Sequence, residues 1–323
     1  MRDNLTRILA GLFFLALVAL GLWGNRFHQF LTMQVMLLSI FALGYNVLFG
    51  RTGLLSFGHG ALYAAGAYGM GLFYLHVSGN PLLGILVGVA TAAFIALVLG
   101  FFCVRHTEIY FAMLTLAFGM LIFSLIWSLS DITGGDDGLV GIGRDPINLG
   151  FISLPIQKSG QFYFLVLFFF ALSLWLIRRI RNSPFGLVLA GIKANSQRTQ
   201  FAGVDVRRYR LAAFVISGVF AGLAGALSAM LEFNTDPFSA HWTHSGEPIF
   251  VSIIGGMGTL FGPVVGSVVF IMLRQVVEAW TEYWMFWFGL LLLAIILGFR
   301  GGVVGAVSQW WEHRQQEAKG GGR

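Results

Sequence analysis

The chain has 323 residues, of which 57% are hydrophobic and 11% charged, and its mean hydropathy is +0.80. Soluble domains carry about 25% charged residues, so a soluble globular protein is excluded. The net charge of +6 does not imply nucleic acid, because the basic residues gather in a few loops and form no stripe interleaved with stacking aromatics. The single cysteine, Cys103, lies in an apolar run; it excludes an intrachain disulfide and a cysteine metal cluster, and reads as packing.

Hydropathy predicts an all-α polytopic membrane protein. Spans are expected at 5–23, 30–49, 54–77, 82–104, 109–129, 161–178, 211–232 and 283–299, with a glycine-rich apolar stretch at 248–277. Arg2 and Arg7 precede the first run, but Leu22-Trp23-Gly24-Asn25 offers no small-x-small cleavage site, so it reads as a retained span. Residues 1–305 form one transmembrane domain in this reading, and 306–323 a polar tail.

The loop Arg178–Arg210 carries Arg178, Arg179, Arg181, Lys193, Arg198, Arg207, Arg208 and Arg210 against one acid, Asp205. The positive-inside rule places it in the cytoplasm. Counting backwards, 131–160 with Asp131, Asp136, Asp137 and Asp145 is external, and Arg105, Arg51, Arg7 and Arg2 are internal. Counting forwards, a basic internal tail with Arg300 and Arg314 requires an odd number of crossings after Glu247. If 283–299 crosses once, 248–277 crosses twice or enters and returns.

The centre of that stretch, Gly255-Gly256-Met257-Gly258-Thr259-Leu260-Phe261-Gly262-Pro263, breaks a helix repeatedly. A re-entrant or discontinuous helix pair is predicted, because irregular backbone at membrane depth survives only where protein buries it or it lines a wet cavity. Gly256, Gly258, Thr259, Gly262 and Pro263 are therefore candidate path residues. Thr52-Gly53-Leu54-Leu55-Ser56-Phe57-Gly58-His59-Gly60-Ala61 is a second glycine-dense stretch, and paired interruptions of this kind point to a transport site. It adds Ser56, Gly58, His59 and Gly60 to the candidates. His59 reads either as a neutral imidazole bonded within the bundle or as a path residue, since intramembrane ionisable groups are costly. Gly258, Gly262 and Gly266 form a small-xxx-small ladder, and Gly218 with Gly222 and Ala221 with Gly225 form another, both suited to close helix packing.

Within the basic loop, Ser183-Pro184 opens a helix, and Leu187, Leu189, Ile192, Phe201 and Val204 give one or two short amphipathic helices ending at Gly203. Such a helix serves either as a handle for a soluble motor or as an element lying on anionic lipid. Asp136 and Asp137, in Gly134-Gly135-Asp136-Asp137-Gly138, lack the spacing of a calcium loop and read as a solvated turn or a docking contact; Glu232, Asp236 and Glu247 carry the same two readings. No G-x-x-x-x-G-K-[ST] loop, catalytic triad or H-E-x-x-H motif occurs, so neither nucleotide binding by that route, catalysis nor a metal site has a candidate.

The segment Asn182 to Asn195, with Phe201-Ala202-Gly203 and Tyr209-Arg210-Leu211-Ala212-Ala213-Phe214, resembles the coupling-loop region of permeases in branched-chain amino acid ATP-binding-cassette importers, specifically their M-type subunit. The two glycine-rich stretches and Thr133-Gly134-Gly135-Asp136-Asp137-Gly138-Leu139 resemble further motifs of that family, and the likeness spans about residues 30–305. One departure is Ser196-Gln197-Arg198-Thr199, which replaces a Glu-Ala-Ala core and is similar to the loop of urea-importer permeases.

The resemblance implies about 8–10 transmembrane or re-entrant helices in a bacterial inner membrane, with both termini cytoplasmic. It implies a second homologous permease, a pair of cytoplasmic ATPases that hold the ATP and magnesium, an external binding protein, and no cofactor on this chain. Gly186, Ile192, Lys193, Arg198, Phe201 and Gly203 would form the ATPase-coupling loop, about 183–204. Asp136, Asp137, Glu232 and Asp236 would meet the binding protein. The solute would be a branched-chain or other small hydrophobic amino acid, or alternatively urea or an amide. An ion-coupled secondary transporter is the competing class, but it needs mid-membrane carboxylates, and the acids here stand mainly at span ends.

Overall fold

The computed structural model describes residues 2–106, 108–148, 153–298, 302 and 305. Among them lie thirteen α-helices: α1 (Arg2–Trp23), α2 (Arg26–Thr52), α3 (His59–His76), α4 (Pro81–Cys103), α5 (Glu108–Ser128), α6 (Ser130–Thr133), α7 (Ser159–Arg181), α8 (Pro184–Ala194), α9 (Ser196–Phe201), α10 (Val206–Glu232), α11 (Trp242–Gly255), α12 (Gly262–Trp280) and α13 (Trp284–Gly298). Helices α2, α4, α5, α7, α10 and α12 are long and apolar enough to cross a membrane. Strand β1 (Leu139–Val140) pairs antiparallel with β4 (Asn234–Thr235), and β2 (Ile147–Asn148) with β3 (Ser153–Leu154). The tail expected at 306–323 lies outside the described residues.

Local chemistry sets the helix ends. Asn80 caps α4 by accepting from Leu82 N at 3.1 Å, with Pro81 in the first turn. Gly53, at φ 77°, closes α2 with its N–H on the Phe49 carbonyl.

The centre of the bundle is α10, packed against α2, α3 and α4. Small residues permit the close approach: a Cβ at Gly222 would collide with Ala92, and one at Gly225 with the Tyr63 carbonyl. Where helices cannot gain from excluding water, such backbone proximity supplies the packing.

The ends of the bundle differ in charge. Arg51, Arg105, Arg181, Lys193 and Arg207 gather at one end, where Arg51 and Arg181 repel one another and Arg207 and Arg105 share the Phe101 ring. The other end holds Glu232, the β1–β4 ladder and Arg144, which donates to the carbonyls of Met230 and Leu231 at 2.8 Å each.

Two helices begin inside the bundle. The span expected at 54–77 starts as helix only at His59. Residues 53–58 run back from the basic end as irregular backbone, with donors taken up by side chains: Ser56 N by Tyr45 Oη at 3.1 Å, Phe57 N by Thr115 Oγ1 at 3.2 Å and Gly58 N by Ser56 Oγ at 3.3 Å. Satisfied donors make non-helical backbone tenable at this depth.

The chain does the reverse after α10. Residues 233–241 dip from the far end, so that Gly60 N at the start of α3 donates to Ser245 Oγ in the first turn of α11 at 2.7 Å. Helix α11 then descends to the basic end, α12 returns and α13 descends again, bringing Gly302 against Gly256 and the Ile253 carbonyl. The stretch 248–277 is thus a discontinuous helix pair whose turn, 256–261, sits at the basic end. The crossings after Glu247 put residue 302 at the same end as Arg51, in keeping with the charge count.

Candidate functional site

A cavity of about 1120 Å³ opens among α2, α3, α10, α11, α12 and α13. Its apolar wall comes from Leu37, Leu38, Phe41, Tyr63, Phe250, Phe270, Ile271 and Phe288. Its polar groups are concentrated where residues 233–241 dip inward: Ser228, Glu232, Asp236, Thr243, His244 and Glu247 all line it. His244 Nδ1 lies 3.6 Å from Glu247 Oε1, and the imidazole stacks on Phe41 and meets Tyr63 edge-on. Arg274 Nε and Glu278 Oε1 form a 2.8 Å pair on the α12 side. Concave, mainly apolar spaces with a few convergent polar groups are where small molecules bind.

At the basic end, α8 and α9 form a compact elbow. Ser183 Oγ accepts from Gly186 N at 3.3 Å to start α8, and Asn195 Oδ1 accepts from Arg198 N at 2.9 Å to start α9. Leu189 and Ile192 are buried, and Phe185 stacks on Tyr209 of α10. The opposite face leaves Leu187 69% and Phe201 90% exposed, beside the exposed Arg198. Gly203, at φ 86°, turns the chain from α9 towards α10. A fixed element with an uncovered apolar tip at a membrane protein's soluble end is suited to engaging another protein.

The family comparison joins these features. Residues 27–297 match the model described as branched-chain amino acid transport system, permease component. The chain belongs to this family of transport permeases. It is 30% identical over 288 residues to the high-affinity branched-chain amino acid transport system permease protein LivM of Escherichia coli, covering 81% of this chain and 66% of the relative. It therefore spans about two thirds of that relative's length. The corresponding LivH protein of the same organism is 22% identical over 83% of this chain and 91% of its own. The guanosine ABC transporter permease protein NupP of Bacillus subtilis is 34% identical over a shorter stretch, 30% of this chain and 27% of its own. No solved structure matches the chain at a significant level.

In the permease, the residues singled out from sequence fall into three places. Ser56, Gly58, His59 and Gly60 lie in the buried junction between 53–58, α10 and α11; His59 is fully buried between Ser56 Oγ and Ser217 Oγ. Gly256, Gly258, Thr259, Gly262 and Pro263 make the turn and first residues of the α11–α12 hairpin, and Gly258 and Thr259 border a small space shared with Asn46, Arg51, Arg181, Gly186 and Leu189. Neither group is among the residues that line the large cavity.

Gly186, Ile192, Lys193, Arg198, Phe201 and Gly203 all lie on the basic-end elbow. Among the four acids grouped for docking, Asp136 and Asp137 stand exposed on a 3-10 turn at the far end, whereas Glu232 and Asp236 line the cavity. The cavity residues that the sequence did not indicate, Phe41, Tyr63 and His244, come from three helices, and Glu247, named there with the loop acids, lines the space beside them. The clearest sequence sign was a histidine and a glutamate three apart, just before the glycine run at 255–263.

Proposed function

We propose that this permease subunit of an ATP-binding-cassette importer carries branched-chain or other small hydrophobic amino acids, and that the 1120 Å³ cavity is its share of the path. The cavity carries the reading: an aromatic and aliphatic wall suits an apolar side chain, and the polar pole around Glu232, His244 and Glu247 suits the charged end of a zwitterion. The name of the E. coli relative supports the same solute class. No chemistry is performed on the solute and no cofactor is held by this chain.

The division of labour follows from the two ends. The basic end faces the bacterial cytoplasm by the positive-inside rule, with both termini there. A pair of ATPases, carrying ATP and magnesium, engages the α8–α9 elbow through Phe201, Leu187 and Arg198. A second homologous permease completes the path beside α11–α13; the likeness of the chain to both LivM and LivH supports a pair built of related subunits. An external binding protein docks near Asp136 and Asp137, and lipid covers the remaining apolar flanks.

The test is uptake by the assembled importer in liposomes, with leucine, urea and guanosine as separate labelled solutes. ATP-dependent uptake of leucine, with valine and isoleucine competing, is the expected result. Uptake of urea or guanosine alone would replace the solute, and uptake that needs no ATP but collapses with an uncoupler would replace the class.

A further inference from the structure

Three hydrogen bonds at the basic end connect the elbow to the cavity. Lys193 Nζ, near the end of α8, donates to the Gly50 carbonyl of α2 at 2.9 Å. One turn earlier on α2, the Asn46 side chain grips the α11–α12 turn with both its polar atoms: Nδ2 donates to the Thr259 carbonyl at 2.9 Å, and Oδ1 accepts from Gly258 N at 3.0 Å. Asn46 is 7% exposed, in an otherwise apolar stretch of a membrane helix. A polar side chain in such a stretch is costly unless its partners are fixed, and here both of its polar atoms are bonded across to the α11–α12 turn.

The turn that Asn46 holds belongs to a stiff hairpin. Gly255 and Gly262 meet backbone to backbone, and a Cβ at Gly266 would collide with the Val251 carbonyl, so α11 and α12 touch without intervening side chains. Dense contacts of this kind shift as a body and do not deform continuously. The same hairpin supplies His244 and Glu247 from α11 and Phe270 and Arg274 from α12 to the cavity wall. Gly50 leaves the passage open for the clamp, since a Cβ there would collide with Asn46 Oδ1.

We propose that Asn46 is a positioning residue that couples displacement of α8, received through Lys193 and Gly50, to movement of the cavity-lining α11–α12 hairpin. The assignment rests on the importer reading given above. A bidentate amide suits the task because it fixes the direction as well as the distance between α2 and the turn, which apolar contact alone does not. In this arrangement α2 is the arm between the motor-facing elbow and the cavity, and the turn at 256–261 is where the arm takes hold.

The experiment uses the complete importer, purified with its ATPases and binding protein and placed in liposomes. Cys103 is replaced by serine, and Phe250→Cys, on the cavity wall and 38% exposed, reports access to a soluble maleimide. With Asn46 present, labelling is expected to change about threefold or more when ATP and magnesium are added, the size of a modest shift between two populated states. With Asn46→Ala the change should vanish while ATP continues to be hydrolysed, and leucine uptake per ATP should fall about tenfold or more, equivalent to losing a coupling of one order of magnitude.

Lys193→Met, at an exposed position, should give the same pattern more weakly, and it decides between the outcomes by itself if Asn46→Ala fails to assemble. A nucleotide response of normal size in these variants, whatever their basal labelling or stability, overturns the assignment. A reporter that ignores ATP even with Asn46 and Lys193 intact overturns the importer reading itself.

Discussion

His59 Nε2 lies 2.7 Å from Ser217 Oγ, joining the first residue of α3 to the middle of α10, while its Nδ1 lies 2.8 Å from Ser56 Oγ. One imidazole thereby ties the irregular segment 53–58 to the central helix, with Tyr45 and Phe214 rings edge-on to it. Leaving one buried polar partner unmatched costs about 1–3 kcal/mol, whereas removing both ends of a bond costs less than the sum. Ser217→Ala is expected to lower stability within that range. His59→Leu together with Ser217→Ala should be less damaging than the two single losses added, as measured by denaturation in mixed micelles. Strict additivity would show that the two side chains do not interact.

Arg144 pins the far end of α10. Its guanidinium donates to the last carbonyls of that helix and lies between the Phe162 and Phe233 rings, 4.1 and 4.3 Å from their centroids. Helix C-terminal carbonyls otherwise lack partners, and charged hydrogen bonds contribute about 1.5–3 kcal/mol. Arg144→Met should therefore cost at least about 3 kcal/mol. Arg144→Lys should recover less than half, because an ammonium cannot serve two carbonyls and two ring faces in one plane. Burial pushes the guanidinium down to about 10 from its higher ordinary value. Folding would gain stability only as pH rises between those values, so the cost of Arg144→Met should be the same at about pH 6 and pH 8. A cost that varies across that interval would assign the effect to another group.

The cavity prediction is steric. Thr243 is exposed to the space near the start of α11, with its Oγ1 2.9 Å from Nδ1 of the capping His241. Thr243→Trp should reduce leucine uptake by roughly an order of magnitude or more, while ATPase subunits still co-purify in normal amount. Thr243→Ser should transport normally. Unimpeded uptake by the tryptophan variant would move the path elsewhere, and a loss of assembly would show that Thr243 is buried in the complex.

The interruption at 256–261 was legible because four glycines and a proline within nine residues leave no helix standing. The one at 53–58 was legible only as a glycine-dense stretch inside a span expected from 54, since Leu54, Leu55 and Phe57 continue the apolar run and the groups that satisfy its backbone, Tyr45 and Thr115, are supplied from other helices. Local composition reports what a segment cannot do; it carries no record of distant partners. The same limit hid the cavity, because Phe41, Tyr63, His244 and Glu247 become neighbours only after 233–241 dips into the bundle. The elbow was read more completely, since Ser183, Pro184 and Gly203 act on residues within four positions of themselves. Its apolar residues, which the spacing had grouped together, divide between two faces, with Leu189 and Ile192 inward and Leu187 and Phe201 outward.

That outward face yields the last prediction. Phe201 is 90% exposed at the tip of α9, an arrangement that costs free energy in water unless a partner covers it. Interfaces draw most of their affinity from a few such anchors, and truncating one typically costs about 2 kcal/mol or more, roughly thirtyfold in Kd. Phe201→Asp should therefore weaken retention of the ATPase subunits on the purified permease by at least about that factor. The helices themselves should remain folded, because the ring is 90% exposed. Arg198→Glu, on the exposed side of the same short helix, should slow association more than it speeds dissociation and should do so less at high salt, as expected of a rim charge. If both variants hold their ATPases as firmly as the unaltered chain, the elbow is not the docking element, and its exposed leucine and phenylalanine belong against lipid instead.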